Sequence, residues 1–195
     1  TNNAIRESFA LGVISSATIM ANMPNFEEAC KIVHRHGWHD RIGVHLNLSE
    51  GRPLTTPILS IPSLCDENGN FRFLMKRYSI FSLPTISKAL YFEMKAQIER
   101  VIKAGISPTH LDSHNHDHTI WAVATQLIAL AKEFNILAVR LSANITPQPS
   151  RLKRIYKMFF NNRLHHHRLV KTSYFGTTKD LENNFDRLDG CVEVE

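Results

Sequence analysis

Cysteine is scarce in this 195-residue chain: Cys30, Cys65 and Cys191 are odd in number, far apart, and in no pair at zinc-finger or redox spacing. That excludes a disulfide framework, and the three read as buried or incidental thiols suited to a reducing cytoplasm. Long apolar runs are missing too. No stretch approaches the roughly 18 uninterrupted apolar residues of a membrane-spanning helix, and no basic, apolar and small-residue succession marks a signal peptide. There is no internal repeat and no low-complexity tract. Acidic residues are absent from 150–171, a segment that holds Arg151, Lys153, Arg154, Lys157, Arg163, Arg168 and Lys171. The net charge of +5 is therefore local, and the remainder is slightly acidic. This argues against a general nucleic-acid binder and for one basic surface.

What is present is ordinary globular material. A composition of 43% hydrophobic and 21% charged residues over 195 positions fits a single domain, residues 1–195, with a substantial core. Short β-branched runs at 13–20, 42–48, 107–111 and 137–141 read as strands. Helical spacing fills the gaps: Phe26, Ala29, Cys30 and Val33 behind a capping Asn25, then Leu90, Met94, Ile98 and Val101, then 121–134. Alternating strands and helices predict an α/β fold with a parallel sheet, open or closed into a barrel. Residues 51–84 read as a loop excursion, with Asn68-Gly69 as the turn of a small hairpin. Both ends look abrupt. Thr1 opens directly into a helical pattern and 191–195 reads as a strand without its following loop, so at least one N-terminal strand is expected to lie outside the sequence.

The run from Thr109 to His118 places His110, Asp112, His114, His116, Asp117 and His118 within ten residues, a density not expected of a packed core. Neutral imidazole is the commonest protein ligand for divalent metals, and a metal makes water nucleophilic near neutral pH. The run therefore predicts metal-centred hydrolysis, with a solvated histidine-rich loop as the alternative. Strand alternation puts His110, Asp112 and His114 on one side, at a strand's carboxyl end, where α/β folds bind ligands. His45 ends another strand; alone it reads as a core histidine, and the cluster supplies a convergent partner. Arg140 ends the strand 137–141 on the same face, placed for a substrate hydroxyl or phosphate, or for a structural ion pair. Leu152, Ile155, Tyr156, Phe159 and Phe160 form the apolar stripe of a cationic helix. That helix is expected to pack on its own domain, with a lid over an anionic sugar phosphate or contact with an acidic membrane surface as alternatives. His165-His166-His167 reads as a solvated turn.

Three strings carry a family resemblance: Thr18-Ile19-Met20-Ala21-Asn22-Met23-Pro24, then Gly43-Val44-His45-Leu46-Asn47-Leu48 with Gly51-Arg52-Pro53-Leu54, then Pro108-Thr109-His110-Leu111-Asp112-Ser113-His114. In order and spacing they resemble the YdjC-like carbohydrate deacetylases, over about residues 4–140. The resemblance implies a deformed (β/α) TIM-like barrel, lacking its first strand and C-terminal part, that removes acetyl groups from N-acetylated sugars. It implies a possible homodimer and one divalent metal held by His45, His114 and an aspartate of an Asn-Ala-Asp-Asp motif, whose second aspartate is the general base. That motif, expected just before Thr1, does not occur in the sequence, nor does a His-Pro motif expected after 191–195. A non-catalytic carbohydrate- or metal-binding relative is the competing expectation. Asp112 reads as the residue that orients an imidazole or as a salt-bridge or turn residue, and His116 and His118 as contacts to sugar or proton-transfer groups or as exposed loop histidines. The resemblance implies magnesium, whereas two imidazoles suit zinc or another transition metal better, and the identity of the metal stays open.

Overall fold

The computed structural model describes residues 2–72, 83–146, 150–170, 172–190 and 192–194. Three parallel strands, β1 (Ala17–Ile19), β2 (Ile42–Leu46) and β3 (Leu111–Ser113), form a sheet in the order β1-β2-β3. Between them run the helices α2 (Phe26–His36), α3 (Thr56–Leu59) and α4 (Pro84–Lys103), and α1 (Asn2–Ala10) precedes β1. A parallel bridge from Leu111 to Val139 extends the sheet, and the Val139 amide donates in turn to the Leu169 carbonyl. After α5 (Trp121–Glu133) and α6 (Arg151–His166), a second parallel pair forms from β4 (Tyr174–Gly176) and β5 (Val192–Val194), with α7 (Thr178–Asn184) between them. The α/β class with parallel strands is as expected. The described strands do not close into a barrel.

One contiguous cluster fills the interior. Val44, Leu46 and Leu111 from the sheet meet Leu90, Met94, Ile98 and Val101 of α4 and Leu127 and Leu130 of α5, all essentially without solvent contact. The helical spacing of these residues puts them on the faces turned to the sheet. Gly43 permits close strand packing: a Cβ there would lie 2.5 Å from the His110 carbonyl oxygen. The asparagine-glycine turn also forms. Gly69, at φ 73°, donates to the Asp66 carbonyl between Cys65 and Phe71, which bridge antiparallel.

Several boundaries differ from expectation. The first strand is only Ala17–Ile19, because Val13 is exposed and its amide closes a turn onto Ser8 instead of a ladder. The third strand runs later, Leu111–Ser113, although Thr109 already donates to Ile42. Residues 137–141 contribute a bridge, not a strand. Asn25 makes no side-chain cap; its carbonyl takes up Ala29 instead. The stripe on α6 is only partly used for packing: Phe160 is buried, but Leu152, Ile155 and Phe159 face solvent. Helix rotation explains this, since Phe160 and Leu164, one turn apart, set the packing face and the other three lie away from it. The excursion at 51–84 falls partly outside the described residues, as does Cys191. Cys30 and Cys65 are buried thiols, and burial pushes Cys30 up to about 11, so it is inert.

Candidate active site

Parallel register builds the centre of the site. His45 on β2 pairs with Asp112 on β3, so both side chains leave the same face of the sheet near the strands' carboxyl ends. His45 Nδ1 donates to Asp112 Oδ1 at 2.8 Å, and the Thr18 hydroxyl of β1 lies 3.2 Å from that nitrogen and 3.3 Å from Asp112 Oδ2. Arg140 Nη2 completes the carboxylate's shell at 2.6 Å. Arg140 also pairs through Nε with Glu193 of β5 and lies 4.9 Å over the Phe175 ring of β4. Asp112 has no solvent exposure. Burial pushes its carboxyl up, but the His45 hydrogen bond and the Arg140 charge outweigh this and hold it below the usual carboxylate range. With Nδ1 committed to Asp112, His45 presents Nε2 as its free lone pair.

His114 follows β3 directly and opens a 3-10 turn, His114–Thr119, in which Asn115 and His116 are left-handed at φ 51° and 57°. The His45 and His114 ring centroids are 5.8 Å apart. His114 Nε2 is buried without a hydrogen bond, 3.1 Å from Glu50 Oε1. Glu50 is held there by a polar lattice beneath the loop. Buried Glu93 of α4 accepts from the Leu54 and Thr55 amides at 2.9 and 2.8 Å, and Gln97 clasps both backbone groups of Asn47. The Asn47 side chain then accepts from the Ser49 and Glu50 amides. Thr18 lies in the first family string but had no role from sequence, and nothing in residue type or spacing singled out Glu50 or Glu193, because each acquires its place through a contact distant in sequence.

The histidine run is less open than its composition suggested. Asp112, Asp117 and His118 are all buried, which corrects the expectation that a packed interior cannot take them. Pairing explains it: Asp117 accepts from the Ser49 hydroxyl at 2.7 Å, and His118 Nδ1 lies 2.7 Å from Ser113 Oγ. His116 is half-buried against the Phe175 ring, and His118 packs against Phe160. Arg140 takes the ion-pair alternative.

Burial, with the nearby Arg140 charge, lowers His118 to about 3, so it is neutral in the fold. A histidine whose folded pKa lies below its unfolded value stabilises the fold above about pH 6.5, and that contribution is lost as pH falls from there towards 3. A His118→Gln chain should therefore show a stability slope between pH 4 and 6 shallower by about one proton, or about 1.4 kcal/mol per pH unit. Urea unfolding across that range measures it. An unchanged slope would assign the acid lability to other groups.

Two imidazole nitrogens, His45 Nε2 and His114 Nε2, fit a divalent metal chemically; among the described residues no group of three His, Cys, Asp or Glu side chains converges to hold one. The carboxylates touching these two histidines are Asp112 and Glu50. A cavity of about 400 Å³ runs from His45 between α1, β1 and α2. Ile5, Phe9, Phe26 and Trp38 make most of its wall apolar, so it is not built for a polyhydroxylated ligand.

These features place the chain among parallel α/β proteins with a histidine-carboxylate centre at the strand ends. The family model described as YdjC-like protein matches residues 1–191, and the chain belongs to that family. A carbohydrate deacetylase of Halalkalibacterium halodurans is 32% identical over 196 residues, covering 99% of this chain and 76% of the relative. One from Geobacillus stearothermophilus is 38% identical over 129 residues, covering 65% and 49% respectively. This chain thus spans from half to three quarters of the length of these relatives. A crystal structure of an Enterococcus faecalis V583 protein superposes with a TM-score of 0.73 at 24% identity, covering 99% of this chain and 73% of that one, which shows a shared fold.

Proposed function

We propose that this chain is part of a metal-dependent carbohydrate deacetylase that hydrolyses the acetamide C–N bond of an N-acetylated amino sugar or oligosaccharide. The observation that carries the reading is the convergence of His45 and His114 at adjacent strand ends, with Asp112 fixing one ring and the buried His114 Nε2 lying beside the Glu50 carboxylate. The family membership and the names of the relatives support the same activity. The parallel strand-helix order supports a deformed (β/α) barrel as the complete architecture.

His45 and His114 would hold the metal, which supplies Lewis acidity to an attacking water and to the acetamide oxygen. Magnesium is the family expectation, and the two nitrogen donors favour zinc or another transition metal. Asp112 keeps His45 in the tautomer that bares Nε2, and Arg140 keeps Asp112 ionised. Glu50 is a solvent-reachable carboxylate at His114, able to take a proton or a sugar hydroxyl at the mouth of the site. Hydrolysis ends with acetate and a free amine, so a protonated group must reach the leaving nitrogen.

A second reading, a relative that binds a sugar or metal without turning it over, rests on the site itself, where among the described residues no third His, Cys, Asp or Glu side chain joins His45 and His114 in a metal-holding group. Acetate release from N-acetylglucosamine oligomers separates the two. The deacetylase reading expects release that stops on chelation and returns with added metal. Saturable oligomer binding without acetate would favour the second reading, and neither binding nor release would sink both.

A further inference from the structure

The outer face of α6 is apolar, exposed and cationic at its edges. Leu152, Ile155, Met158 and Phe159 are 73, 44, 52 and 59% exposed, on the side of the helix away from buried Phe160 and Leu164. The helix does not need this face to stay in place. Its inner side is anchored by the Tyr156 hydroxyl, which donates to the Thr119 carbonyl at 2.6 Å, and by Lys157 Nζ on the Ala143 carbonyl at 3.0 Å. Asn161 clasps the amide and carbonyl of Ser142 at 2.8 and 3.0 Å, and Arg163 lies 4.7 Å over the Trp121 ring. Arg151 and Arg154 stand exposed beside the apolar strip, and residues 150–171 contain seven cations and no acid.

We propose that α6 docks this chain on an anionic lipid bilayer. Leu152, Ile155 and Phe159 enter the boundary between headgroups and acyl chains, while the arginines meet lipid phosphates. Charge selects this occupant. A second copy of the same face brings more cations and no counter-charge. A nucleic acid would engage the arginines but leave four large apolar side chains in water. A bilayer surface satisfies both halves of the face at once. The inference is independent of the sugar chemistry proposed above.

The test is co-sedimentation of the full chain with vesicles of phosphatidylcholine alone or with about one quarter phosphatidylglycerol. Binding to the anionic vesicles is expected to be roughly ten-fold or more tighter than to the neutral ones and to weaken as salt is raised. A Leu152→Ser, Phe159→Ser double variant should bind the anionic vesicles roughly ten-fold or more weakly, with an unchanged circular dichroism spectrum and melting temperature. An Arg151→Gln, Arg154→Gln double variant should lose discrimination between the two vesicle types. Equal affinity for both, absence of binding, or wild-type binding by the serine variant would overturn the proposal. So would a soluble dimer broken by the serine variant with no vesicle binding, or salt-sensitive binding to DNA alone.

Discussion

His114→Ala and His45→Ala proteins are each expected to bind a divalent metal at least roughly 100-fold more weakly than the unsubstituted chain. Loss of a group that merely orients a metal ligand already lowers affinity by roughly 10- to 100-fold, so loss of a nitrogen donor itself should do no less. Both side chains are well placed for the role: His45 has Nδ1 occupied by Asp112, and His114 has a buried Nε2 beside the Glu50 carboxylate. Isothermal titration with zinc, manganese and magnesium reads affinity directly, and the metal-induced rise in melting temperature gives a second readout. Neither depends on turnover. Deacetylation should fall in step with metal occupancy. Retention of wild-type metal affinity by both single variants would remove the metal centre, whatever happened to activity. A Glu50→Gln chain should keep most of its affinity, because Glu50 reaches His114 from the solvent side.

The order of strands and helices was legible because each buried face repeats at its own period. Leu90, Met94, Ile98 and Val101 announced α4, and the alternation around Asp112 put it on the side of the sheet where it meets His45 only through the strand register. Strand ends were less legible. Val13 has the apolar, β-branched character of a strand residue but pairs with no strand among the described residues, and pairing is a property of the sheet, not of the residue. The histidine run misled about burial for a related reason. His118 and Asp117 read as solvated because their partners, Ser113 and Ser49, are unremarkable serines until the turn folds over them. Likewise Arg140 was placed on the correct face, but its two carboxylates come from β3 and β5, 28 and 53 residues away. Apolar periodicity on α6 revealed a stripe without revealing how much of it the domain covers.

Asp112→Ala should destabilise the fold by roughly 3–5 kcal/mol, the usual effect of removing one partner from a buried ion pair. Asp112 is without solvent contact and Arg140 is nearly so, and the substitution removes one carboxylate from the arginine while stripping His45 of its acceptor. For a chain of this size that is a fall in melting temperature of roughly 10 °C. Arg140→Met tests the pair from the other side, and a double variant with Asp112→Asn should lose less than the two single changes together, by roughly 0.5–3 kcal/mol. The pH dependence distinguishes charge from packing. Asp112 is held below the usual carboxylate range, so its contribution is fully present above its unfolded pKa of about 4 and is lost as pH falls through the depressed folded value. The stability gap between wild type and Asp112→Ala should therefore be flat from about pH 5 to 8 and narrow only below about pH 4. A gap that persists undiminished into acid would mean that Asp112 acts by filling space, and the account of His45 being oriented by a charged partner would fail with it.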